Sequence, residues 1–205
     1  MKEFFSKYSY TMVKMYITQF AIGLVGGVLA MATSAAGDTM MIVTGIFAAL
    51  FYLFMLYTTI WDIGSKDRIS VDIGKAKNKP FKGFLITLCA NLLNIIVATV
   101  YTVCWFISRG GEGVATNIAS IMRIFTFFSE GMYYGLMSAL TVGGQQLFVY
   151  WWSYYIIIIP AVLIGGLGYF LGTKNAHSTK LMEPLYPESD REPKKKRRFF
   201  RGNDE

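Results

Sequence analysis

The chain has 205 residues, of which 54% are hydrophobic and 16% charged, and a formal net charge of +7. Charges gathered into a few clusters between long apolar runs do not describe a soluble domain. Basic residues that flank those runs, outside any recognition motif, argue against a nucleic-acid binder. The composition fits an all-α, multi-pass membrane protein whose positive charges set sidedness and attract anionic lipid.

Met1 to Lys14 carries Lys2, Lys7 and Lys14 against Glu3, and residues 15–33 then run without a charge as a first span. Ala30-Met31-Ala32 has the small-x-small form of a signal-peptide cleavage site. The apolar run exceeds a usual signal core and further spans follow, so an uncleaved signal-anchor is expected. A link containing Gly37 and Asp38 but no Lys or Arg leads to the second span, 40–61, closed by Trp61.

Residues 62–83 form the basic interruption. Lys66, Arg68, Lys75, Lys77, Lys79 and Lys82 stand against Asp62, Asp67 and Asp72, which marks a cytoplasmic loop. Within it Ile69, Val71 and Ile73 alternate with Ser70 and Asp72, a period-two pattern that predicts a short strand. The third span, 84–107, contains both cysteines, Cys89 and Cys104. Fifteen helical residues separate them by about 22 Å, beyond disulfide reach, so they are read as small apolar fillers.

After a glycine-rich connection, Thr116, Ser120, Arg123, Thr126 and Glu130 recur at spacings of four, three, three and four. That is one polar stripe on an amphipathic helix at 116–130, either interfacial or re-entrant, with Arg123 and Glu130 on its wet face. The last span is 148–173, where Pro160 deprives the Ile156 carbonyl of its helical partner and predicts a kink. Residues 174–205 hold three prolines and little apolar content, which predicts a disordered cytoplasmic tail. Its cluster Lys194, Lys195, Lys196, Arg197, Arg198, Phe199, Phe200 and Arg201 suits an anionic inner leaflet.

Charge decides the span count. Lys and Arg number three before the first span, six in 62–83, two in 108–147 and nine after residue 173. Four spans place the three rich segments inside with both termini cytoplasmic; a fifth would export the polybasic tail. The expected fold is therefore a four-span transmembrane helical bundle, residues 1–173, with an extra helix before the last span and a separate tail, 174–205.

Each span carries a stripe of small or weakly polar residues for helix packing, with G-x-x-x-G at Gly23–Gly27 and Gly168–Gly172. The spans so drawn contain no ionisable residue, which argues against a proton relay or a charged site inside the bundle. Asn91 and Asn94 are the most polar groups deep in a span and either bond a neighbouring helix or line a cavity. No metal or cofactor is expected: His177 is the only histidine, and the cysteines are too far apart to share an ion.

With no nucleophile–base set in view, the expectation is a non-enzymatic protein of the cell membrane. It would be an accessory or assembly component contacting lipid and another membrane protein, or a second copy of itself. The alternative is a small-solute transporter or the substrate-binding subunit of one, using Asn91, Asn94, Arg123 and Glu130. An enzyme would require Arg123 and Glu130 to converge with other polar groups in a cleft.

Overall fold

A computed structural model describes residues 2–72, 81–108 and 113–174. These belong to one compact unit; residues 73–80, 109–112 and 175–205, the last with the polybasic cluster, lie outside the described residues. The chain is mostly helical. Helix α1 is Lys2–Ser34, α2 Asp38–Asp72, α3 Lys82–Ala90, α4 Leu92–Ile107 and α5 Val114–Glu130. A 3-10 turn, Gly131–Tyr133, leads to α6, Tyr134–Ala139; then come strands β1, Thr141–Val142, and β2, Gln145–Gln146, a second 3-10 turn, Leu147–Val149, and helices α7, Ser153–Ile156, and α8, Ile158–Thr173.

Three helical stretches are long and apolar enough to cross a membrane, Tyr8–Ser34, Asp38–Val71 and Ser153–Thr173. The bent pair α3 and α4 makes a fourth if it counts as one span. Its 56° bend falls at Asn91, whose side-chain amide donates to the Thr87 carbonyl at 3.0 Å. A side chain bonded into the helical ladder is a recognised cause of a kink. The other break in a span, at Ile157 between α7 and α8, lies three residues ahead of Pro160, where the proline ring crowds the preceding turn. The 148–173 segment becomes regular helix only from Ser153.

Two expectations about residues 62–83 are corrected. The apparent strand does not form, because Ile69, Ser70, Val71 and Asp72 are the last turns of α2; Ile73 lies outside the described residues. The first half of the expected loop is also helix. What holds it there is a buried polar clasp around Asp67, only 8% exposed. Tyr8 of α1 donates to its two carboxylate oxygens at 3.2 and 3.3 Å, Tyr169 of α8 at 3.0 Å, and Lys82 at the start of α3 forms an ion pair with it. The Lys82 ammonium also sits 4.4 Å from the centroid of the Tyr8 ring. Four helices converge on one carboxylate, and a charge so paired and bonded can be buried.

The two G-x-x-x-G motifs serve different contacts. Gly168 and Gly172 of α8 bring it against the Tyr57 and Trp61 backbone of α2. Gly23 and Gly27 of α1, with Gly26 between them, receive the turn between α5 and α6. A methyl group at Gly26 would stand 2.5 Å from Met132 Cα, and one at Gly23 2.7 Å from the Phe128 carbonyl oxygen. Large apolar side chains stay exposed along the outer faces, among them Val25, Phe47, Phe54, Ile96 and Leu163. This distribution suits a hydrocarbon surround, in which helices associate by close backbone approach.

Candidate functional site: a half-open cavity in the α5–α6 hairpin

Helix α5 carries the polar stripe, and its orientation follows from the glycines of α1. Gly23, Gly26 and Gly27 offer a surface without side chains, so the α5 terminus and the following turn approach to backbone contact. The stripe is thereby turned inward over its second half: Thr126 is 9%, Ser129 5% and Glu130 4% exposed. The wet-face assignment therefore fails for Glu130, and so does the expectation of a bundle interior free of ionisable groups. The end of α5 covers α1 with the Phe128–Ser129 backbone against Gly23 and the Phe127 ring against Gly27.

Asn91 and Asn94 are 1% and 4% exposed, and Asn94 faces Glu130 there. The Asn94 amide donates to Asn91 Oδ1 at 3.2 Å and also faces the Glu130 carboxyl, while Asn91 meets the Tyr52 hydroxyl. Tyr133 packs edge-on against Tyr52, ring centroids 6.4 Å apart. Asn94 Oδ1 and the Tyr133 hydroxyl have no hydrogen-bond partner in the protein. Asn91 bonds back to Thr87 of α3 and Asn94 bonds Asn91; neither lines the cavity described next.

Arg123 sits two turns back along α5 and is half-buried. Its Nη2 donates to the Tyr101 hydroxyl at 3.1 Å, and that hydroxyl donates to the Val149 carbonyl at 3.0 Å. The guanidinium carbon lies 5.5 Å from the centroids of both Tyr101 and Phe148. The Tyr154 ring lies 4.4 Å from that of Tyr101, tilted by 49°, and its hydroxyl donates to the Phe148 carbonyl at 2.8 Å, so the guanidinium sits in a bonded aromatic frame. Arg123 Nε is buried and has no hydrogen-bond partner in the protein.

Between the arms of the hairpin, α5 and α6, opens a half-open cavity of about 310 Å³, at the lower end of the range for small-molecule sites. Arg123, Thr126 and Glu130 supply its polar wall, and Met31, Ile124, Phe127, Met137 and Phe148 much of the apolar remainder. Arg123 and Glu130, both singled out by the sequence, thus share one cavity, but seven residues at about 1.5 Å each keep them roughly 10 Å apart along the axis. The sequence missed Met31 and Phe148, which reach the cavity from α1 and from the segment after the β-hairpin. Among the described residues no group of three or more His, Cys, Asp or Glu is placed to hold a metal. The Lys194–Arg201 cluster lies outside the described residues.

Comparison with family profiles, with curated proteins and with solved structures finds no match to this chain.

Proposed function

We propose that this is a four-span protein of the cell membrane with both termini cytoplasmic. In this reading α5, the turn at Gly131–Tyr133 and α6 form a re-entrant hairpin that enters from the outer face and returns to it. The contrast between six and nine basic residues in the 62–83 segment and the tail, and two in 108–147, supports that sidedness. The turn packs on Gly23–Gly27, near the middle of the charge-free 15–33 run of α1, which supports the depth.

The function is that of a non-enzymatic accessory component that holds a small ligand in the hairpin cavity and offers it to a partner membrane protein. One observation carries this: the cavity of about 310 Å³ with Arg123 and Glu130 in its wall. An acid and a guanidinium roughly 10 Å apart along the helix are too widely spaced to act on one reacting bond, which favours holding a molecule over transforming it. Native mass spectrometry of the full chain released from native-lipid nanodiscs tests it. The wild type should retain a small-molecule adduct that is lost when Ile124→Trp fills the cavity; identical spectra for the two would contradict it.

A second reading, a transporter in which Glu130 takes part in solute passage, is favoured by the burial of that carboxyl beside Asn94. Flux of the retained ligand through reconstituted liposomes, lost in Glu130→Gln, would select it over the accessory role.

A further inference from the structure

We infer that the hairpin cavity takes an amphiphile with a single anionic head, a carboxylate or a phosphate ester, bound at Arg123 with its apolar chain along Met31, Ile124, Phe127 and Met137. This rests on the reading of the cavity as a ligand site and adds the class of ligand. A guanidinium has five N–H donors in a planar fork. In Arg123 one nitrogen is spent on Tyr101 and the guanidinium also faces the Tyr154 hydroxyl, Nε is buried without a partner, and no carboxylate stands within ion-pair distance among the described residues. The aromatic frame of Tyr101, Phe148 and Tyr154 fixes the fork, so its remaining donors are held ready without further loss of side-chain freedom.

A fork of this kind matches the paired oxygens of a carboxylate or phosphate, and in apolar surroundings such charge-assisted bonds are strong. The rest of the wall selects the rest of the ligand. Apart from Thr126 and Glu130 the lining is mainly aliphatic and aromatic, and the volume corresponds to about ten waters of liquid, enough for a short alkyl chain. Glu130, two turns along the same helix, offers an anion no donor fork at its own end. The head is thereby confined to the Arg123 end.

The test is calorimetric titration of the full chain in phosphatidylcholine nanodiscs with decanoate, decyl phosphate and decanol. Decanoate and decyl phosphate should bind saturably and decanol at least about tenfold more weakly. Arg123→Gln should cost both anions about tenfold or more, the loss of a hydrogen bond to a charged group. Arg123→Lys, which keeps the charge without the fork, should fall between, and Ile124→Trp, at an exposed lining position, should abolish all binding. Decanol binding as tightly as decanoate, with both lost in Ile124→Trp, would overturn the anionic class and leave the ligand-site reading standing. No saturable binding of any of the three would overturn both. Native mass spectrometry from nanodiscs containing phosphatidylglycerol separates the sources: an anionic lipid adduct lost in Arg123→Gln assigns a lipid headgroup, and decanoate binding without one assigns a free anion. Either supports the inference.

Discussion

The Asp67 clasp and the Arg123–Glu130 cavity both bury charge in one helical bundle, and they do it in opposite ways. Around Asp67, two tyrosine hydroxyls and an ammonium from three other helices converge on the carboxylate. At the cavity, Arg123 Nε is left without a protein partner, and an open volume adjoins the guanidinium. A buried charge whose bonds are met within the protein holds helices together; one left with spare donors beside a cavity is equipped to hold something else.

The sharpest way to break that contrast is to remove the central carboxylate of the clasp. Asp67→Ala leaves the Lys82 ammonium buried without its partner and should cost about 3–5 kcal/mol, seen as an early midpoint in a detergent-denaturation titration. Next, Tyr169→Phe removes one donor to the same carboxylate and should cost about 1.5–3 kcal/mol in the same assay. On the other side of the comparison, Gly26→Leu forces a side chain into the Met132 backbone and should cost about 1–3 kcal/mol by holding the hairpin off α1. Glu130→Gln keeps the shape and the contact with Asn94 while removing a buried acid with no cation paired to it. It should leave the midpoint within about 1 kcal/mol of wild type or raise it. A loss as large as that of Asp67→Ala would mean that Glu130 is also a structural clasp.

How much of this was legible in the sequence depends on how far apart the partners lie. The long apolar helices could be read because length and charge-free composition are local properties, as was the helical stripe of α5. The direction in which the stripe faces was not local: it is set by Gly23, Gly26 and Gly27, about a hundred residues earlier, which admit the hairpin to the bundle interior. Asp67 was read as one charge in a loop because its partners Tyr8 and Tyr169 are 59 and 102 residues away. The alternation at 69–73 resembled a strand because a single helical turn of mixed residues also satisfies period two; the clasp decides between them. Arg123 and Glu130 were identified as candidates, but the aromatic frame and the cavity between the arms of the hairpin depend on Phe148 and Tyr154, whose placement follows from the β-hairpin turn at Gly143–Gly144.

The claim on which the rest depends is that α5 and α6 enter and leave the membrane on the same, outer side. Single cysteines at Asn117, Gln145, Ser34 and Ser70, in a background with Cys89 and Cys104 replaced, test it when intact cells are treated with a membrane-impermeant thiol reagent. The account predicts labelling at Ser34, Asn117 and Gln145 and protection of Ser70. Labelling of Asn117 with protection of Gln145 would mean that the hairpin crosses the membrane, and the re-entrant, outward-facing cavity would be contradicted.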